Sequence, residues 1–353
     1  MGNFSIITNQ KNWMESTAIE QVRHISEYKG VVSAVGLPDL HAGRSPVGVA
    51  VKTEGFIYPY LIGGDIGCGM GLFDTGVALR KFKPEKWTAR LNYIRELGDI
   101  PADNPYDEDS PIPDLGTIGG GNHFAEFQRI EDVVDTAEAA KVNADNVILL
   151  VHSGSRSYGQ RIMNQFSRED GYKAENADAA EYLKYHDHAV LWARRNREIV
   201  ANKLIGWLGF SGEAKIIIDC AHNYIEKAGS CYIHRKGAAS ALNGLIVIPG
   251  SRGTMTYLVK PAVDCEKSLY SLSHGAGRKW ARSLCKSRIK NKYDRDKIRR
   301  TDLKSSVICH DTNLLYQEAP EAYKNIEDII NVLREHELID IVAILRPLIT
   351  YKG

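Results

Sequence analysis

Three short apolar runs constrain this chain more than any other feature. Residues 147–151 lead into His152-Ser153-Gly154-Ser155-Arg156, residues 216–218 into Asp219-Cys220-Ala221-His222-Asn223, and residues 245–248 into Pro249-Gly250-Ser251-Arg252-Gly253. Short runs rich in β-branched residues and closed by turn formers read as buried strands. Each delivers polar side chains at its C-terminal end. A sheet built from them therefore presents histidines beside Gly-rich loops on a rigid support.

Glycine-rich segments elsewhere offer close approach to a ligand. In Gly63-Gly64-Asp65-Ile66-Gly67-Cys68-Gly69 an Asp and a Cys stand three apart, and a tight turn would let them converge on one ion. In Gly119-Gly120-Gly121-Asn122-His123-Phe124-Ala125-Glu126 a glycine run enters an alternating strand, with Glu126 on the same face as Asn122. Ser271-Leu272-Ser273-His274-Gly275-Ala276-Gly277-Arg278 sets a histidine before backbone with little side chain to keep a phosphate away. Successive free N–H groups there can form an anion nest, and Arg278 adds a planar cation. Taken singly, each segment has a plain structural explanation: a buried thiol, a flexible loop, a turn.

The rest of the chain is organised around these segments. Residues 36–43 read as a turn before a strand over 47–51, and residues 99–114, rich in Asp and Pro, as a surface loop. Residues 177–208 read as one or two amphipathic helices. His186 and His188, two apart, point to different faces, and both are assigned to helix surface. Residues 325–337 read as a helix, 339–345 as a strand, and 348–353 as a frayed tail. Residues 278–300 hold eleven Lys and Arg against two acids. A solvated helix face would explain them, but their position after His274 suits a path for a polyanion, with Arg278, Arg288, Lys290 and Lys292 as candidate contacts to it.

Composition narrows the class. Lys+Arg 45 against Asp+Glu 44 removes any whole-molecule nucleic-acid signature, and no apolar run approaches a membrane span. Six cysteines without framework spacing suggest reduced thiols and a cytoplasmic protein. Neither a repeat nor a linker appears, so residues 1–353 are expected to form one domain.

Asp65, Cys68, His123, His152, His222 and His274 together suit a borderline divalent ion such as Mn²⁺, Zn²⁺ or Co²⁺. A thiolate can bridge, so two ions sharing Cys68 is an economical arrangement, and paired ions are a standard device in phosphoryl transfer. Residue chemistry leaves open a phosphoryl transferase, a nucleotidyl transferase or a hydrolase.

The motifs as an ordered set resemble the RtcB RNA ligases: Pro38-Asp39-Leu40-His41, Gly64-Asp65-Ile66-Gly67-Cys68-Gly69, Gly120 to Glu126, His152 to Arg156, His222-Asn223, His234 to Ala238, Ile248 to Ser251, His274 to Arg278, Glu318-Ala319-Pro320 and Lys352-Gly353. The resemblance implies an α+β fold with a central β-sandwich-like core surrounded by helices. It implies joining of an RNA 3′-phosphate or 2′,3′-cyclic phosphate to a 5′-hydroxyl, with GTP as co-substrate and two Mn²⁺ per site. His274 would carry GMP. One ion would sit on Asp65, Cys68 and His123, the other on Cys68, His152 and His222. Guanylate contacts would come from Asn122, His123, Phe124, Ala125, Glu126, His222, Asn223, Pro249, Gly250, Ser251, Arg252, Thr256, His274, Gly275, Ala276, Gly277 and Lys352. This chain departs from the usual pattern at Gly67 (usually Asn), Arg252 (usually Met), Thr256 (usually Ser) and Lys279-Trp280. Its short form resembles bacterial variants suited to RNA repair. A metal-dependent RNA phosphoesterase and a non-catalytic RNA-binding module on the same scaffold are the alternatives.

Overall fold

Period-two alternation decides which way each strand residue faces. A computed structural model describes residues 2–95, 97–99, 114–293 and 297–353. In the strand Asn146–Ser153, Val147, Leu149 and Val151 pack with Trp87 and Leu91 of the helix Pro84–Asn92 and with Val200 and Leu204 of the helix Ala177–Trp207. Ile148 and Leu150 face the other way, among Met70, Leu72, Val247, Leu258 and Leu345. Each such buried aliphatic side chain contributes about 1.5–3 kcal/mol.

Those two faces belong to an eight-stranded sheet. Its order is Ile246–Pro249, Thr256–Pro261, Ile339–Lys352, Phe124–Val133, Asn146–Ser153, Gly69–Ala78 and Lys215–Ala221, with Ser306–Cys309 parallel to the end of Ile339–Lys352. The two strands that close this path at either end also touch each other, so the sheet nearly closes on itself. A five-stranded sheet, Asn3–Ile6, Val31–His41, Val47–Glu54, Cys231–Lys236 and Asn223–Ala228, lies beside it. One apolar cluster joins Val35 and Leu37 of the smaller sheet to Ile248 and Val259 of the larger and to Ile329 and Leu333 of the helix Ile326–Glu335. The expected α+β fold with a sandwich-like core is thus present.

Several local expectations need correction. Residues 36–41 are not a turn; they belong to the strand Val31–His41, whose register against Val47–Glu54 breaks between Gly36 and His41. Leu37 and Leu40 are fully buried there, and Lys324 Nζ donates to the Pro38 and Leu40 carbonyls in place of ladder bonds. His186 is not on a helix surface: it is 1% exposed, and its Nε2 accepts from the Ile225 N–H. His188 meets the Tyr158 hydroxyl in an exposed pair. Residues 348–352 are not frayed, because the strand Ile339–Lys352 continues through them between Ser306–Cys309 and Phe124–Val133. Residues 177–207 form a single helix. Of the expected loop over 99–114, residues 100–113 lie outside the described residues, as do 294–296 of the basic run. Among the described residues no helix is long and apolar enough to cross a membrane.

Candidate active site

The alternation that builds the apolar interior also builds the site. Ile148 and Leu150 share a face with His152, and Met70 and Leu72 share one with the Asp65-to-Cys68 turn that precedes their strand. Along Phe124–Val133 the same parity brings Glu126 and Gln128 inward, whereas Ala125 and Phe127 enter the outer core with Ile349 and Tyr351. Thr350 and Lys352 therefore face inward as well. The near-closed sheet is apolar at one end and polar at the other, and the polar end opens into a cavity of about 360 Å³.

Cys68 lies at its centre. Its Sγ is 3.3 Å from His123 Nε2 and 3.1 Å from His152 Nε2, and these three donors form a compact group able to hold a metal ion. Asp65 flanks one side, with Oδ2 2.9 Å from His123 Nε2. His222 flanks the other, with Nε2 3.3 Å from His152 Nε2. His123 Nδ1 lies 3.1 Å from the Ile118 carbonyl and His152 Nδ1 3.1 Å from the Asn122 carbonyl. A carbonyl only accepts, so each Nδ1 carries the proton and each Nε2 turns a lone pair toward Cys68. That is the tautomer a metal-binding imidazole needs.

Electrostatics agree with a cation there. Burial pushes His152 and His222 well below the ordinary imidazole value, so both are neutral, the form that binds metal. Burial would raise Asp65, but the charge and hydrogen bond of His123, when that ring is protonated at Nε2, hold it well below the usual carboxylate range. On the neutral ring a metal ion would take over that part. Burial, with the Asp65 charge second, pushes the Cys68 thiol up. A thiolate at this position needs a positive ion beside it. The donor set fits a borderline divalent metal.

His274 stands next to this cluster, its ring centroid 4.7 Å from that of His222. Its Nδ1 is 2.6 Å from Asp39 Oδ2, and the same oxygen accepts from the His274 backbone N–H. Burial alone would raise Asp39; the hydrogen bond and charge of His274 lower it instead. An ionised carboxylate on Nδ1 fixes a proton there and, on the neutral ring, leaves the Nε2 lone pair unengaged. Gly277 turns the chain at φ 70°, and a Cβ there would lie 2.2 Å from the Asp39 carbonyl oxygen. Glycine is what lets the histidine loop close on Asp39.

The remaining predicted residues divide into groups. Asn122, Phe124, Glu126, Asn223, Pro249, Gly250, Ser251, Arg252, Gly275, Ala276, Gly277 and Lys352 line the cavity with His222 and His274. Ala125 is fully buried in the core behind it, and Thr256 reaches Glu126 only through Gln128, whose Nε2 donates to both. Burial pushes Glu126 up to about 7. Lys352 Nζ donates to the His123 carbonyl. Arg278 lines the cavity but spends its donors on Glu318, the Tyr323 hydroxyl and the Gln317 carbonyl. Arg288 sits over the Trp280 ring at 4.9 Å, Lys292 pairs with Glu321, and Lys290 caps the helix Arg282–Ile289.

Sequence reasoning missed Arg197. It is fully buried, with Nε and Nη2 on Asp219 at 2.7 and 2.8 Å and Nη1 on the Gly67 and Ser153 carbonyls at 2.9 and 2.7 Å. One guanidinium therefore ties down the segments that carry Cys68, His152 and His222. A signal was available: Asn196 and Arg197 fall on the stripe of Ala189, Ala193, Val200 and Leu204 that faces the core. Asp39 was part of a quoted segment without a role, and the hydrogen bond that gives it one joins residues 235 apart.

Comparison with known proteins adds a family. The family described as tRNA-splicing ligase RtcB matches residues 21–103 and 85–353. Among curated relatives, an RNA-splicing ligase RtcB2 of Escherichia coli is 40% identical over 98% of this chain and 95% of its own. A tRNA-splicing ligase RtcB of Archaeoglobus fulgidus is 26% identical over 96% of this chain and 92% of its own. An RNA-splicing ligase RtcB of Escherichia coli strain K12 is 27% identical over 99% of this chain and its whole length.

Proposed function

This chain belongs to the RtcB family, and on that premise we propose that it is an RNA ligase that joins 3′-phosphate or 2′,3′-cyclic phosphate ends to 5′-hydroxyl ends through GMP carried on His274. RNA repair is the proposed role, and residues 1–353 are proposed to act as one ligase domain. The observation that carries the reading is the meeting of His274, oriented by Asp39, with the Cys68 cluster in one cavity.

Asp65, Cys68 and His123 would hold one Mn²⁺, and Cys68, His152 and His222 a second. Bound there, such ions neutralise phosphate charge and polarise phosphoryl oxygens. His274 Nε2 attacks the α-phosphorus of GTP: an N–P bond forms and the bond to the pyrophosphate oxygen breaks, releasing pyrophosphate. Asp39 holds the Nδ1 proton and stabilises the positive charge that develops on the ring. A 2′,3′-cyclic end is first opened by water to the 3′-phosphate. The 3′-phosphate then displaces His274 from the GMP phosphorus, and attack by the 5′-hydroxyl, its proton passing to water, expels GMP and forms the phosphodiester. Glu126, as an acceptor facing guanine N–H groups, supports preference for GTP over ATP. Asn122, Asn223 and the loop from Pro249 to Arg252 line the space for the guanylate.

Incubating the protein with GTP labelled at the α-phosphate, with Mn²⁺ present, tests this reading. Label stable to base and lost in His274→Ala is expected; an unlabelled wild-type chain that still releases phosphate from RNA ends would instead favour a phosphoesterase.

A further inference from the structure

Arg252 stands on the loop between the strands Ile246–Pro249 and Thr256–Pro261 and is 8% exposed. Its Nη2 donates to the Leu315 carbonyl at 2.9 Å. Its Nε and Nη1 are buried and, among the described residues, have no hydrogen-bond partner. Buried charged donors are costly to leave unpaired, and almost all find partners. The neighbouring carboxylates have partners of their own: Glu318 binds Arg278, Arg282 and the Tyr323 hydroxyl, and Glu321 Oε1 binds Lys292 and Tyr293, whereas Glu321 Oε2 is buried without a partner among the described residues.

The side chain also occupies a junction. It lines the histidine cavity and, on its other side, a second groove of about 350 Å³ that also carries Lys279, Arg300, Thr301 and Lys324. A ligand passing between the two spaces passes beside this guanidinium.

We propose that Arg252 is a phosphate-binding subsite at the threshold between the histidine cavity and the second groove, its two free N–H donors completed by phosphoryl oxygens of the substrate. A planar, permanently charged guanidinium matches that chemistry better than an ammonium. The subsite rests on the ligase reading for what enters the cavity, and goes beyond it by giving the Arg252 side chain a ligand group of its own. That group is either the triphosphate tail of the nucleotide or a backbone phosphate of the RNA strand.

Binding rather than turnover tests it, using the full chain as wild type, Arg252→Met and Arg252→Lys, without GTP. The probes are inorganic pyrophosphate and a short oligoribonucleotide with a 3′-phosphate. Arg252→Met is expected to weaken at least one probe by about tenfold or more, as loss of charged hydrogen bonds does, with Arg252→Lys intermediate. Loss for pyrophosphate alone identifies the nucleotide tail as the source. Loss for the RNA alone, with a salt slope reduced by about one, identifies the strand. Either result supports the subsite. Ligand-free Arg252→Met is expected to melt no lower than wild type, because it removes an unpaired buried charge. Unchanged affinity for both probes in both variants overturns the proposal, as does a lower melting temperature with unchanged affinity, which would make the guanidinium structural. No bond is made in these titrations, so a chain that failed to guanylylate itself would leave the result readable.

Discussion

At Asp39 one carboxylate decides which nitrogen of His274 is free. Asp39→Asn keeps the shape but no longer fixes the tautomer or stabilises ring charge. Guanylylation is expected to slow by about a hundredfold or more, with little change in GTP affinity, as a single-turnover assay would show. Cys68→Ala is expected to abolish both proposed metal sites and His222→Ala to remove one, read as stoichiometry in a Co²⁺ titration. Glu126 gives a pH prediction. Its value rises from the ordinary 4.5 to about 7 on burial, so the unfolded chain releases this proton first. Ligand-free stability therefore falls as pH climbs from 4.5 to 7 and stays lower above. Glu126→Gln should remove that loss and gain about 1–3 kcal/mol at pH 8 but not at pH 4, measured by denaturant melts. The same change should raise the KM for GTP. Metal-type donors were legible as residues because Asp, Cys and His beside glycines are chemically conspicuous. Asp39 was not, because its role depends on a contact 235 residues away.

At the scale of elements, the helix Ala177–Trp207 is what makes the cluster rigid. Its Arg197 ties down the segments carrying three candidate ligands, and its surface comes so near the Asp65-to-Cys68 turn that a Cβ at Gly67 would lie 2.8 Å from Val190 Cα. Gly67 also adopts φ 70°. Glycine at this position thus has a steric reason. Gly67→Ala should cost about 1–3 kcal/mol and loosen metal binding, checked by melting and titration together. Arg197→Met strands Asp219 in the interior and should cost about 3–5 kcal/mol. The three apolar runs were readable as strands from their composition, and the long helix from its spacing. What escaped was tertiary override: residues 36–41 look like a turn because of Gly36, Pro38 and Asp39, yet Lys324 satisfies their carbonyls from 286 residues away. The end of Ile339–Lys352 looked frayed because its partners lie far off in the chain.

For the whole molecule, a balanced net charge conceals a local cationic surface. Geometry already spends part of it, Lys292 on Glu321 and Arg288 on Trp280. Neutralising Arg288, Lys290 and Lys292 together should therefore weaken RNA binding and flatten its salt dependence by at most about three in the log–log slope, measured by titration at several salt concentrations. Every part of the cavity depends on strands from distant stretches of chain, with Asp39 near one end and Lys352 near the other. That breadth acts as a safeguard. A ribosome halted anywhere in between would release a chain that lacks part of the cavity, the Lys352 that holds the His123 carbonyl at the least.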